Sequence, residues 1–337
     1  MVIKSILYNR EWIKLEPFFE KYGIAQVTIP LPFRLNHIHC YLTRQNDQDW
    51  TIIDTGLHRQ ETVDTWKKAF TQYGLQERDI KKIIVTHYHP DHFGYAGELQ
   101  RETTADVLMG KRAYQLGKKN WTKENQKQSE QFYCQAGMEG KTLKALVEHD
   151  GGFFPMVRPF PEVTQFLQEG QQIQIGELTF QALHTPGHEE GHFCFYQPDE
   201  KLLFSGDHLL KKITPNISYL GLGDDNPLGT YLSSLEKLGE LEINWVLPGH
   251  GPIFSDARER IDEIIQHHKV RITEIYEAIK GEMTAFQLSK LLFQRELTIH
   301  EERFALGETI AHLAYLLAKG EIKKTPDSQG VWNYTRS

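Results

Sequence analysis

The chain has 337 residues, enough for one large domain and a smaller second one. Its formal net charge of -7 excludes a general electrostatic attraction to nucleic acid or to an anionic membrane surface. The first ten residues lack the apolar core of a secretory signal, and no apolar run approaches the roughly 18 residues that cross a bilayer. The three cysteines, Cys40, Cys134 and Cys194, are an odd number at unrelated spacings. We therefore expect a cytoplasmic protein with reduced thiols and with no DNA or membrane partner.

Residues 24 to 109 predict a strand, a second strand, a helix and a further strand. The helix carries an apolar stripe at helical spacing, formed by Val63, Trp66, Phe70 and Tyr73.

Residues 110 to 165 interrupt the strand-rich pattern, and we predict a helical insert here. Two interpretations stay open. In the first, the insert caps a site and supplies substrate contacts, with Phe153, Phe154, Met156 and Phe160 as apolar candidates. In the second, it is a packing element or an oligomer contact, so a homodimer is left open.

Strands are predicted again over residues 171 to 208, and helices from about residue 256. Thr284 is a predicted N-cap. A helix from Glu308 to Lys319 is expected to end at Gly320, and a two-stranded wing should follow.

The segment 86–92 is the most informative part of the chain, because it holds three histidines and an aspartate directly after an apolar run. Neutral imidazole and carboxylate are ligands that divalent metals accept. Side chains alternate along an extended chain, so His87 and His89 can face the same way. Asp91 and His92 follow where the chain must turn. One short segment therefore predicts ligands for two metal ions.

Other histidine and aspartate side chains also follow strand-like apolar runs. Each lies in a turn that contains glycine, where the backbone takes conformations that other residues avoid. They are Asp54, His188, Asp207 and His250. Five strand ends thus deliver such side chains to one region.

In this order the motifs resemble those of the metallo-β-lactamase superfamily over residues 24 to 255. The resemblance implies an α/β fold, the αββα sandwich, with a dinuclear metal site at one edge of its two sheets. It implies that the first metal ion is held by His87, His89 and His188. For the second ion it implies Asp91, His92 and His250, with Asp207 as the bridge between the ions. Asp54 would support the site by orienting ligands or the bound water.

Two departures narrow the resemblance. Position 207 is Asp where class B1 antibiotic-hydrolysing enzymes have Cys, so the glyoxalase II and lactonase type fits better. Position 89 is His rather than the Glu of flavodiiron oxygen reductases, which argues against redox iron. We therefore expect two zinc ions, with manganese or iron as alternatives.

The predicted function is a dinuclear zinc-dependent hydrolase that uses a metal-bridging hydroxide to cleave a small ester, thioester or lactone. Zinc lowers the pKa of a bound water to about 7, and two metals can also polarise the substrate. The predicted catalytic carboxylates are Asp91, Asp207 and Asp54. The alternative function is a metal-dependent endoribonuclease or phosphodiesterase, and a third is a metal-free binding protein.

The domain prediction places a catalytic domain at residues 1–262, including the insert at 110–165, and a winged-helix-like domain at 263–337. The latter resembles the module appended to the human-type β-lactamase-like endoribonuclease and its bacterial relatives. From residue 270 onward it carries nine basic and nine acidic residues. It therefore has no net positive charge that would attract the phosphates of a nucleic acid. RNA is therefore not favoured as a partner, and a small-molecule substrate is expected.

Four further histidines are interpreted as structural or supporting residues rather than as metal ligands. His37 and His39 alternate on a predicted strand, where a loop at the rim of the site is expected rather than a third metal site. His192 and His208 are expected to support the ligands rather than to bind metal themselves.

Overall fold

A computed structural model describes residues 16–46 and 48–337. The prediction about the first ten residues lies outside this range. Within it, no helix combines the length and the apolar character that crossing a membrane requires. The chain forms two large sheets and a small third sheet near the C-terminus.

The first sheet has six strands, which lie side by side in chain order. They are β1 (Ile24–Pro30), β2 (His37–Arg44), β3 (Trp50–Ile53), β4 (Ile80–Val85), β5 (Asp106–Gly110) and β6 (Gln165–Leu167). The first three pair antiparallel, and β3 to β6 pair parallel. The helices before and between β1 and β5 are α1 (Glu16–Tyr22), α2 (Gln60–Tyr73), α3 (Pro90–Phe93) and α4 (Ala96–Thr103).

The segment predicted as a helical insert is helical and connects β5 to β6. Its helices are α5 (Lys111–Asn120), α6 (Lys123–Gln135) and α7 (Gly140–Gly151). All four apolar candidates for substrate contact pack against the core beside the first sheet: Phe153, Phe154, Met156 and Phe160. Their packing role is therefore visible, whereas a substrate contact stays a prediction.

The second sheet has five strands in the order β11-β10-β9-β8-β7. They are β7 (Gln172–Ile175), β8 (Leu178–His184), β9 (Phe193–Gln197), β10 (Leu202–Gly206) and β11 (Trp245–Pro248). Helix α8 (Pro227–Leu238) connects β10 to β11, which pair parallel. A parallel pair needs such a crossover connection, and a helix commonly supplies it.

The two large sheets pack face to face through an apolar core. Tyr41 from β2 meets Phe204 from β10 with ring centroids 5.0 Å apart. Outside the first sheet, α2 contributes the fully buried Trp66. Outside the second sheet, α8 and α9 (Ala257–Ala278) contribute Tyr231 and Ile264. The expected αββα sandwich is therefore confirmed.

The C-terminal part consists of α9, α10 (Ala285–Leu292), α11 (Ile299–Ala318) and a sheet of order β12-β14-β13. These strands are β12 (Met283–Thr284), β13 (Ile322–Pro326) and β14 (Trp332–Arg336). Thr284 caps α10 as predicted, because its side chain accepts a hydrogen bond from the Gln287 backbone. The boundary predicted between residues 262 and 263 falls inside α9. That boundary and the winged-helix assignment stay predictions.

The insert and the C-terminal helices share one hydrophobic core. Phe132 and Tyr133 of α6 pack in the same cluster as Leu306 of α11. The Phe286 backbone N–H donates to the carbonyl of Ala136 at 3.0 Å. The insert is thus packed against the C-terminal domain as well as connected to the first sheet.

Candidate metal centre

The predicted site residues converge because each lies just beyond the end of a strand in one of the two large sheets. Asp54 follows β3, the segment 86–92 follows β4, and the others follow β8, β10 and β11. The strand β4 ends at Val85, but the backbone is still extended at His89, which is the N-cap residue of α3, and the expected turn begins at Pro90. Proline suits that first helical position because its fixed φ is already helical.

Three imidazoles form a group that we call the first triad: His87, His89 and His188. His87 Nε2 lies 3.0 Å from His89 Nδ1 and 3.3 Å from His188 Nε2. The three nitrogen atoms thus point into one space, where lone pairs would repel one another without a shared proton or cation.

A second group, which we call the second triad, combines a carboxylate with two imidazoles: Asp91, His92 and His250. Asp91 Oδ2 lies 3.2 Å from His250 Nε2 and 4.0 Å from His92 Nε2. The ligating atoms of each triad lie within 4.8 Å of one another.

Asp207 lies between the two triads. One carboxylate oxygen, Oδ1, is 3.3 Å from His92 Nε2. The other, Oδ2, is 3.6 Å from His188 Nε2 and 3.5 Å from His250 Nε2. The carboxylate therefore contacts histidines of both triads.

Asp54 contacts a ligand histidine and the residue that precedes the histidine segment. Its carboxylate pairs with His92 Nδ1 at 2.7 Å and accepts a hydrogen bond from the Thr86 backbone N–H at 2.8 Å. The Thr86 hydroxyl also contacts His87 Nδ1 at 3.0 Å. Asp54 has a φ of 57°, an uncommon conformation for a residue with a side chain. This backbone turn is held by a hydrogen bond from the Asp54 N–H to the carbonyl of Ile84.

Backbone carbonyls orient two further imidazoles. His188 Nδ1 contacts the carbonyl of Asn216 at 2.9 Å, and His250 Nδ1 contacts the carbonyl of His37 at 2.7 Å. With Nδ1 donating its proton, each ring presents the Nε2 lone pair to the centre.

The four histidines that were predicted to be structural or supporting residues lie around the centre. His192 Nε2 accepts a hydrogen bond from the Asp207 backbone N–H at 3.3 Å. His208 Nε2 contacts the Ser234 hydroxyl at 3.2 Å. Among the residues that the structure describes, no potential metal-ligand group includes His37, His39, His192 or His208.

The two triads differ in electrostatics. Burial, reinforced by neighbouring imidazoles, holds the pKa values of His87 and His89 well below the usual histidine range. Burial also opposes charge on His250, but Asp207 and Asp91 outweigh it and raise its pKa to about 10. The pKa of Asp91 is lowered to about 2, because His92 and His250 outweigh its burial.

The centre fits divalent metal ions by the chemistry and position of its donors. His92 Nε2 and Asp207 Oδ1 are buried and face each other at 3.3 Å, but neither makes a hydrogen bond to any residue that the structure describes. Position 249 is glycine, and a Cβ there would lie 2.7 Å from Asp207 Oδ1 and 2.8 Å from a ring carbon of His92. The glycine therefore keeps space beside two inward-facing donors.

Comparison with known proteins decides the family. Residues 34–250 match the family model described as metallo-beta-lactamase superfamily. This chain belongs to the metallo-beta-lactamase superfamily. Residues 272–337 match a second model, described as metallo-beta-lactamase-like, C-terminal domain.

Three relatives illustrate this membership. The probable metallo-hydrolase YqjP of Bacillus subtilis is 24% identical over 89% of this chain and 93% of its own. The crystal structure of a beta-lactamase domain protein from Burkholderia ambifaria is 31% identical, covers 94% of this chain and 92% of that one, and has a TM-score of 0.83. The atrochrysone carboxyl ACP thioesterase of Aspergillus fumigatus is 24% identical over 56% of this chain and 63% of its own.

The superfamily member described here is therefore an enzyme of the metallo-hydrolase kind. Its fold implies divalent metal ions, and the two triads are groups that could hold them.

Sequence reasoning missed three supporting contacts at this centre. Thr86 directly precedes the histidine segment and could have been found from that position. The carbonyls of Asn216 and His37 carried no signal, because any residue type supplies a backbone carbonyl.

Proposed function

We propose that this metallo-hydrolase is a dinuclear zinc enzyme that cleaves a small ester, thioester or lactone. The observation that carries the proposal is the position of Asp207, whose two oxygens contact histidines of both triads. A carboxylate in that position can be shared by two metal ions.

The proposed ligands follow from this arrangement. The first triad would hold one ion, the second triad would hold the other, and Asp207 would be shared. When bound, the two ions would activate water as the nucleophile and polarise the scissile carbonyl. No serine or cysteine nucleophile is required.

The three predicted catalytic carboxylates differ in access to solvent. The side chain of Asp91 is 20% exposed, that of Asp207 11% and that of Asp54 3%. Asp91 is therefore the most accessible of the three to substrate and solvent, and we propose that its role is to hold the second ion there, since the low pKa of its carboxyl group keeps it deprotonated. Asp54 acts through His92, whose ring it holds in the orientation that presents Nε2 to the centre.

Zinc is the proposed metal because the donors are imidazole and carboxylate, without thiolate. Structural zinc sites favour cysteine and closed four-coordinate geometry, whereas catalytic zinc sites use histidine and acidic ligands. Manganese and iron bind similar nitrogen and oxygen sites, so the metal content of purified protein is the direct measurement.

Cleavage of a carbonyl substrate is favoured over phosphoryl transfer for two reasons. Position 207 is Asp, as in the glyoxalase II and lactonase type. One relative is named a thioesterase, and the chain carries an acidic net charge that does not attract polyanions.

The test is a substrate screen with protein reconstituted with zinc and of measured metal content. We expect hydrolysis of at least one thioester, ester or lactone, with two equivalents of metal per chain and no turnover after chelation. Cleavage of phosphodiesters or single-stranded RNA alone would contradict the proposal and favour the endoribonuclease alternative. Metal-free protein from a zinc-supplemented preparation would favour the binding-protein alternative. A cytoplasmic location, and the choice between monomer and homodimer, stay predictions.

A further inference from the structure

The N-terminal half of α11 is connected to the ligands of the metal centre by two routes. The Asn216 amide contacts the carbonyl of Phe304, and the Asn216 carbonyl contacts His188. The His300 ring stacks on Phe33 with centroids 4.5 Å apart, in the loop that leads to His37 and the carbonyl partner of His250. The C-terminal domain thus contacts segments that orient ligands of both triads.

A cluster of polar side chains lies where α11 meets the insert. We call it the rim cluster, and its members are Tyr133, His149, Asp150, His300 and Arg303. Arg303 Nε lies 3.1 Å from Asp150 Oδ1, and the Tyr133 hydroxyl donates to Asp150 Oδ2 at 2.7 Å. The His149 and His300 ring centroids are 5.1 Å apart.

One polar atom of the rim cluster is buried without a partner. His300 Nδ1 makes no hydrogen bond to any residue that the structure describes, whereas Arg303 Nε and His149 Nδ1 lie 3.1 Å and 3.6 Å from Asp150 Oδ1. Buried polar groups normally have partners, and each exception calls for an explanation such as a ligand or an ion.

Aromatic rings connect the rim cluster to the first triad. The Tyr88 ring lies 5.4 Å from the His89 ring and 6.5 Å from the Trp121 ring by ring centroids. Trp121 in turn lies 5.9 Å from Phe153, whose ring is 5.2 Å from His149. The cluster therefore borders the centre rather than a remote surface.

An aromatic frame surrounds the cluster. Phe153 lies 5.2 Å from His149, 5.7 Å from Phe33 and 5.9 Å from Trp121 by ring centroids. Such a frame suits an acyl group, because aromatic rings provide apolar contact area and Arg and His provide N–H donors at the polar end.

We propose that the rim cluster binds a carbonyl or carboxylate oxygen at the far end of the acyl group, and that His300 selects substrates that carry one. The inference rests on the proposed function and specifies its substrate class. An acceptor rather than a cation fits, because Arg303 has N–H donors alone and Asp150 is already paired with Arg303 and Tyr133.

The first test compares thioesters of matched length with zinc-reconstituted protein. Glutaryl and acetylbutyryl thioesters carry a terminal acceptor, the hexanoyl thioester does not, and longer and shorter homologues cover the span. We expect kcat/KM to favour an acceptor-bearing substrate through a lower KM in at least one length. The glutaryl and acetylbutyryl arms separate a carboxylate from a neutral carbonyl.

Two substitutions at one position isolate the contact. His300→Phe keeps the stacking on Phe33 but removes the ring nitrogens, and should reduce the preference roughly threefold to tenfold, as expected for one hydrogen bond. His300→Gln keeps a donor and should retain most of the preference. The matched control is His267→Phe, a half-buried histidine of α9 outside the cluster. Equal preference in wild type and His300→Phe overturns the inference.

The second test separates this inference from the proposed function. Metal-free protein is titrated calorimetrically with the glutaryl and the hexanoyl thioester, in wild type, His300→Phe and His149→Phe. We expect tighter binding of the glutaryl thioester in wild type and loss of this difference in both variants, whether or not the zinc-loaded protein hydrolyses any thioester. Hydrolysis without acceptor preference, together with equal binding of both thioesters, contradicts the inference and leaves the proposed function intact.

Discussion

The first triad holds three imidazoles that face one another, whereas the second triad joins two imidazoles to a carboxylate. Burial keeps the imidazoles of the first triad neutral, so their lone pairs are available near neutral pH. In the second triad, carboxylates favour the protonated state of His92 and His250. A metal ion would therefore enter the first triad without displacing protons and would displace protons from the second. The two halves of one centre thus differ in how they compete with solvent protons.

The largest expected effect comes from removing the residue common to both halves. Asp207→Ala should reduce metal content at both triads and lower turnover by more than the roughly 100-fold typical of an outer support residue. Elemental analysis and hydrolysis rates measure both effects. Asp199→Ala, in the turn between β9 and β10, is the matched control. Full metal retention with normal turnover in the Asp207 variant would rule out its shared role.

Substitution within one triad should remove one ion. His89→Ala affects the first triad and His250→Ala the second, so each variant should bind about one metal equivalent instead of two. Stoichiometry by elemental analysis after gel filtration gives the result. If either variant kept two equivalents, the division into two triads would be wrong.

Acidification should empty the two triads at different pH values. The proton on His250, with a pKa of about 10, competes with metal, so apparent affinity at the second triad falls by about tenfold per pH unit for each displaced proton. The ion in the His89→Ala variant should therefore be lost at higher pH than the ion in His250→Ala, during dialysis at stepwise lower pH. The reverse order would contradict the electrostatic difference.

The same proton links pH to stability of the protein without metal. The raised pKa of His250 contributes stability that is fully present below 6.5, its ordinary value, and is lost as pH rises to about 10. Thermal unfolding of chelator-treated protein should show a melting temperature that falls across this window. The His250→Ala variant should show a shallower fall, and an equal slope would remove His250 as the cause.

Loss of a support residue should have a smaller effect. Asp54→Asn weakens the contact that orients His92 and should lower metal affinity at the second triad by roughly 10–100-fold. Competition with a chromogenic chelator measures this affinity. Asp54 also reaches His87 through the Thr86 hydroxyl, so a smaller weakening is expected at the first triad. A larger loss at the first triad than at the second would contradict a role through His92.

The smallest effect is expected for His192→Ala. The substitution removes the acceptor for the Asp207 N–H, so the variant should lose about 1–3 kcal/mol of stability but keep two metal equivalents. Chemical unfolding and elemental analysis distinguish the outcomes. Loss of one metal equivalent would instead make His192 a ligand.

The sandwich and the convergence of the seven candidate ligands were predictable, because each ligand follows an apolar strand and these strands end at one edge. The helix α11 was predicted too short. It begins at Ile299 rather than Glu308, where Thr298 and Glu301 form a capping box that the sequence displays. Glu308 to Lys319 covers the part with the stronger apolar pattern, and the polar first turns were overlooked.

The rim cluster was not predictable by inspection. Its members come from α6, α7 and α11, so more than one hundred residues separate its two halves in the chain. No local spacing connects His149 with His300, and their proximity depends on how the insert packs against the C-terminal helices. The resemblance to a known family gave no position for them either, because three of them lie in the insert that interrupts the family pattern and the other two lie beyond residue 255.

The shared core of the insert and the C-terminal domain has a consequence for exchanging parts between relatives. Gly137 in the insert leaves no room for a side chain, since a Cβ there would lie 2.5 Å from the Thr284 hydroxyl at the start of α10. A C-terminal domain grafted from another member would meet an unmatched surface on α6 and α7. A functional chimera therefore needs residues 123–151 and the C-terminal domain from the same parent, as a single transplant.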